Sequence, residues 1–145
     1  MKAAALINIL LVDDSEDDIE FTLKALEMTK LANNVEVVHN GIEALAYLRK
    51  EGKYASQPTP SLVLLDLNMP MKDGREVLKE VKADPAMHKI PIVILTTSQA
   101  EEDIVRSYDL HANCYISKPV DLDGLIRVVQ AIDIFWFGVV QLPRD

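Results

Sequence analysis

Cysteine is nearly absent from this chain. Cys114 is the only one among 145 residues, so no internal disulfide is available and nothing points to an oxidising compartment. Basic residues are outnumbered, 15 to 23 acids, giving a formal charge of −8. So acidic a chain gains nothing from counterion release on a phosphate backbone, which argues against nucleic-acid binding. Long apolar runs are missing as well. Ala3–Val12 is interrupted by Asn8 and is followed by five acids in six residues, Asp13 to Asp18, with no small-residue cleavage site. That pattern argues against a secretory signal and for a buried strand, and the run is too short for a bilayer. The three histidines, His39, His88 and His111, have no metal-ligand spacing. A cytoplasmic protein is expected, with no membrane or nucleic-acid role.

What remains is an ordinary globular balance, 49% hydrophobic and 26% charged, in a length suited to one domain. Apolar patterning alternates between short runs and helical spacing. Ile7–Val12 reads as a strand covered on both faces. Ile19, Phe21, Leu23, Leu26 and Leu31 open a helix whose first turn is crowded with acids, which favour the positive end of the peptide dipoles. Val35–Val38 is strand-like, and Asn40-Gly41 marks a turn. Ile42, Leu45, Ala46 and Leu48 form the next helical face, and Glu51–Ser61 reads as a loop. Leu62–Leu65 is a strand, followed by a helical face at Val77, Leu78 and Val81 that ends before Asp84-Pro85. Ile92–Leu95 is a strand behind Pro91, with helical spacing again at Ile104, Val105 and Tyr108. Tyr115–Ile116 is a short strand before Pro119, and a last helix runs from about Leu122.

Five βα units with no break in composition imply an α/β fold, a parallel sheet between helix layers, with right-handed crossovers leaving few topologies. In such sheets the functional crevice lies at the carboxyl ends of the strands. Asp13-Asp14 follows the first strand, Asp66 ends the third, Thr96-Thr97 ends the fourth and Lys118-Pro119 follows the fifth. Three carboxylates gathered at one edge need a cation, and oxygen ligands with room for water suit Mg²⁺. The cation keeps a nucleophilic aspartate ionised and neutralises an incoming phosphoryl group, while an ammonium and a hydroxyl hold its remaining oxygens. Such a site makes and holds an aspartyl phosphate.

The segments LLVDDSEDD, LVLLDLNMPMKDG, IPIVILTTS and NCYISKP resemble the receiver domains of two-component response regulators. The spacings from Asp66 and Thr96 to Lys118 also match those of the bacterial chemotaxis regulator of that family. The resemblance covers Ile7 to about Val129. It implies a doubly wound, flavodoxin-like (βα)5 sandwich with strand order 2-1-3-4-5, and a single receiver domain over residues 1–145. It implies that Asp66 is the phosphoacceptor for a histidine kinase and that Asp14 binds Mg²⁺ directly. Asp13 would act largely through water, and the backbone carbonyl of Asn68 would complete the protein ligands. Lys118 would pair with phosphoryl oxygens, Thr96 would be the switch hydroxyl and Tyr115 the switch aromatic. Gly74 suits the close turn after Met69-Pro70. The chain is then a signalling switch and not an enzyme, acting through protein contact or phosphorelay.

Two departures from the commonest receiver pattern are His111-Ala112, where Gly-Ala is usual, and the long loop at Glu51–Ser61. Together with the carboxyl-terminal tail they resemble the small regulators encoded beside bacterial and cyanobacterial phytochromes. That tail, residues 133–145, is a helical, aromatic extension in which Phe135, Trp136 and Phe137 are consecutive. Three adjacent aromatics point about 100° apart around a helix and cannot all face one core. With Val140 they suggest a homodimer interface, or part of a docking surface for the partner kinase. Two other functions compete. A Mg²⁺-dependent aspartyl-phosphate phosphatase of the haloacid dehalogenase type would need an acid two residues after the nucleophile, where this chain has Asn68. A receiver that binds without phosphorylation would be expected to have lost part of the site.

Overall fold

The computed structural model describes residues 7–29, 32–67, 69, 71–96, 114–117 and 123. Five strands form one sheet in the order β2-β1-β3-β4-β5. They are β1 (Ile7–Val12), β2 (Ala32–Val38), β3 (Leu62–Asp66), β4 (Ile92–Thr96) and β5 (Cys114–Ser117). Every neighbouring pair is parallel. The expected α/β fold and strand order are both observed.

Alternation along the central strands builds the layers. Leu10, Val12, Val63, Leu65, Ile92 and Ile94 pack with α2 (Gly41–Leu48) and α3 (Gly74–Ala83). Ile9, Leu11, Leu62, Leu64, Val93 and Leu95 pack with Ile19, Ala25 and Leu26 of α1 (Glu16–Thr29). Because successive strand side chains point to opposite faces, an unbroken apolar run feeds two cores at once. Each fully buried aliphatic side chain contributes about 1.5–3 kcal/mol.

The helices turn differently from the expected faces in two places. Along α1, Ile19, Thr22, Ala25 and Leu26 are buried, and Phe21 is 51% exposed. Two residues of helix carry Phe21 about 200° away from Ile19, so the two cannot share one face. In α2 the buried face is Gly41, Ala44, Leu45, Tyr47 and Leu48, while Ile42 is largely exposed and Ala46 half-buried. Tyr47 reaches the core and meets Tyr54 with ring centroids 5.2 Å apart. Tyr54 belongs to a single 3₁₀ turn at Gly52–Tyr54, inside the segment expected to be loop throughout.

Helix starts and stops follow local chemistry. The Asn40 side chain accepts from the N–H of Glu43 at 2.9 Å, capping α2. Asp73 and Glu76 form a reciprocal capping box at the start of α3, and α3 stops before Asp84-Pro85 as expected. Strand β2 begins at Ala32, three residues ahead of the Val35 start expected from apolar content, since its Asn33-Asn34 pair is polar. The helix expected around Ile104–Tyr108, the one expected from Leu122 apart from Asp123, and the extension at 133–145 with Phe135, Trp136, Phe137 and Val140 lie outside the described residues.

Candidate metal and phosphoryl centre

Parallel register aligns the carboxyl ends of the strands. Val12 pairs with Val38 and with Leu65, Asp66 with Leu95, and Thr96 with Ser117. The residues that follow β1 and those that end β3, β4 and β5 therefore share one edge. Asp13, directly after β1, donates its N–H to the carbonyl of Val38 at 3.1 Å, which fixes where the chain leaves the sheet. Its carboxylate accepts the N–H of Ser15 at 3.0 Å. Ser15 in turn opens α1: its hydroxyl accepts the N–H of Asp18 at 3.3 Å and its carbonyl the N–H of Ile19 at 2.9 Å. The Ser15 hydroxyl thus satisfies a donor that the helix start leaves without an intrahelical partner, and its carbonyl accepts the first bond of the helix. The sequence signal was present in Ser15-x-x-Asp18, a cap pattern hidden among acids taken only as dipole partners.

Asp13, Asp14 and Asp66 each place one carboxylate oxygen within 4.8 Å of the others. Asp13 and Asp66 are buried and Asp14 is exposed. At such separations each pair of charges repels by about 3–4 kcal/mol at an effective dielectric of about 20. An all-oxygen set of three carboxylates, closed on one side and open to water at Asp14, fits a hard divalent cation that keeps part of its hydration shell. Thr96 ends β4 at the same edge, and Tyr115 pairs with Ile94 in the middle of the β4–β5 ladder. Asn68 and Lys118 lie outside the described residues. Lys118 follows Ser117, the partner of Thr96.

Gly74 and Gly41 let two helices close on the segment after Asp66. The N–H of Gly74 donates to the carbonyl of Leu67 at 2.9 Å, and that of Gly41 to the carbonyl of Lys72 at 3.1 Å. A side chain at Gly74 would overlap the carbonyl of Asp66, and one at Gly41 would overlap that of Lys72. Gly74 was legible from the sequence as a close-turn residue. Gly41 read only as a turn signal, because its neighbour is distant in the chain. Also unforeseen is an ion-pair chain in which Lys72 and Arg49 both hold the carboxylate of Glu80. Lys72 and Arg49 hold the Glu80 carboxyl below its usual range, with Lys72 dominant and partial burial opposing. No helical spacing connects these three residues, so periodicity carried no trace of them.

A doubly wound parallel sheet bearing an acidic trio at the ends of β1 and β3 defines a class of α/β proteins with a candidate cation site at the carboxyl edge of the sheet. Comparison with known proteins narrows this further. The model of the response regulator receiver domain matches residues 9–130, and the chain belongs to that family. Response regulator Rcp1 of Synechocystis sp. is 44% identical over 135 residues, covering 93% of this chain and 92% of Rcp1. The Mn²⁺-bound form of Rcp1 superposes with a TM-score of 0.73, at 43% identity over 92% of this chain and 96% of that one. The phosphorylated cyanobacterial phytochrome response regulator RcpA is 50% identical, with a TM-score of 0.76 over 92% of this chain and 95% of that one. The bacteriophytochrome response regulator RtBRR gives a TM-score of 0.84 at 44% identity, over 90% of this chain and 80% of that one. The chain is thus a two-component receiver related to phytochrome response regulators. Among the described residues, no helix is long and apolar enough to cross a membrane.

Proposed function

We propose that this chain is a phosphorylation-dependent switch that accepts a phosphoryl group on Asp66 from a histidine kinase of phytochrome type. The observation that carries this reading is the convergence of Asp13, Asp14 and Asp66 within 4.8 Å. Asp14 and Asp66 would hold Mg²⁺ with the carbonyl of Asn68, and Asp13 would act through water. Mg²⁺ supplies positive charge that offsets the phosphoryl oxygens and the carboxylates beside them. A carboxylate oxygen of Asp66 attacks phosphorus as the bond from phosphorus to the donor imidazole nitrogen breaks, and that nitrogen leaves with the bonding pair. The ammonium of Lys118 and the hydroxyl of Thr96 bind phosphoryl oxygens, and movement of Thr96 makes room for Tyr115 to turn inward. The resulting surface changes affinity for a downstream protein, or the group passes on by phosphorelay. Beyond its own phosphorylation and dephosphorylation the chain has no enzymatic role, and it works in the cytoplasm.

Two relatives support the details, each for itself: Rcp1 is described in a Mn²⁺-bound form and RcpA in a phosphorylated one. The test is incubation with a small phosphodonor and Mg²⁺, followed by intact mass. Wild-type protein gains one phosphoryl group and Asp66→Asn gains none. An Asp66→Asn protein that is still phosphorylated moves the acceptor elsewhere.

The same reading treats residues 1–145 as one receiver whose extension at 133–145 joins two copies through Phe135, Trp136, Phe137 and Val140. The support is compositional: consecutive aromatics that one small core cannot absorb. Truncation after Ala131 then converts a dimer to a monomer in light scattering, and a full-length chain that is already monomeric refutes it.

A further inference from the structure

The segment that follows Asp66 is held from outside itself. Between Leu67, whose carbonyl accepts from Gly74, and Lys72, whose carbonyl accepts from Gly41, Met71 adopts a left-handed backbone with φ 69°. A residue with a Cβ keeps that conformation only where its surroundings enforce it. The Met71 side chain is 72% exposed, so its own packing does not enforce it. Met69 packs against the core on one side of Met71, and on the other the restraint falls on Lys72. Its backbone is tied to the first residue of α2 through Gly41, and its ammonium is tied to Glu80 on α3. Glu80 also binds Arg49, the residue capping the far end of α2, at 3.0 Å. One carboxylate therefore links this segment to α3 and to both ends of α2.

We propose that Lys72, Glu80 and Arg49 are positioning residues that hold the segment after Asp66 in the geometry required for divalent-cation binding. The inference rests on the Asp66 phosphoacceptor reading and adds to it residues remote from the acidic trio. Electrostatics alone makes a different prediction, and the two can be separated by sign. Glu80→Gln removes a negative charge and Lys72→Met a positive one, so through-space attraction for Mg²⁺ weakens in the first and strengthens in the second. A lost tether weakens binding in both.

The experiment measures Mg²⁺ affinity by calorimetry and, in metal-free protein, the hydrogen exchange of the Gly41 amide by NMR. Both variants are expected to bind Mg²⁺ about two- to fivefold more weakly and to exchange Gly41 faster by a similar factor, the scale of partly exposed ion pairs. Lys72→Arg keeps the pair and should match wild type in both readouts. Opposite shifts in Mg²⁺ affinity, or variants unchanged in both measurements, overturn the inference and leave the phosphoacceptor reading intact. A wild-type chain that binds no Mg²⁺ overturns both, with the Gly41 exchange still reporting whether the tether exists.

Discussion

The α-carbon of Gly74 faces the backbone carbonyl of Asp66 so closely that any side chain there would overlap it. A Cβ would also come within 2.8 Å of the α-carbon of Leu67. The start of α3 is thereby set directly against the residue that ends β3. Helix placement and site geometry are one constraint.

Gly74→Ala should therefore damage both stability and the site. Backbone atoms cannot swing aside as a flexible side chain does, so relief requires moving α3 away from β3. Overpacking of this kind costs about 1–3 kcal/mol. Urea denaturation should show the loss, and calorimetry should show weaker Mg²⁺ binding than wild type. Intact Mg²⁺ binding in a folded Gly74→Ala protein would mean that the start of α3 does not govern the acidic edge.

The acidic trio predicts opposite effects of one substitution with and without metal. Asp14 is the exposed member, so Asp14→Asn removes repulsion toward Asp13 and Asp66 without leaving a buried polar group stranded. Metal-free protein should gain up to about 1 kcal/mol in thermal or urea unfolding, since water screens most of the bare repulsion. Wild-type protein should gain about 2.7 kcal/mol when Mg²⁺ is present at about 100 times its Kd. The variant should lose most of that response. Equal Mg²⁺ stabilisation of both proteins would remove Asp14 from the ligand set.

Sheet and helix faces differ in how far the sequence discloses them, and two substitutions measure the difference. Leu64 lies in the unbroken apolar run Leu62–Leu65, so its burial followed from the run itself, and Leu64→Ala should cost about 2–5 kcal/mol. Phe21 was counted among the apolar residues whose spacing marks α1. Helix geometry and the burial of Thr22 put it in solvent instead. Phe21→Ser should change stability by no more than about 0.5 kcal/mol. The site shows the same division. Asp13, Asp14 and Asp66 were legible because strand ends in a parallel sheet converge whatever surrounds them. Gly41 and the Lys72–Glu80–Arg49 chain were not, because their meaning lies in contacts between elements that share no periodicity. A large loss for Phe21→Ser would show that this exposed aromatic is covered in solution.

Glu80 gives the fold a small acid sensitivity with a defined sign. Lys72, chiefly, and Arg49 hold its carboxyl below the ordinary glutamate value of 4.5. A carboxyl lowered in the folded state contributes stability that is complete above the unfolded value. That contribution disappears as pH falls through the folded one. Glu80 is partly exposed, so the contribution is about 1 kcal/mol or less. Glu80→Gln should thus be slightly less stable than wild type near neutral pH, and the gap should close below pH 4.5. Urea unfolding of both proteins across that range provides the measurement. A gap that persists unchanged in acid would assign the effect of Glu80 to packing instead of its charge.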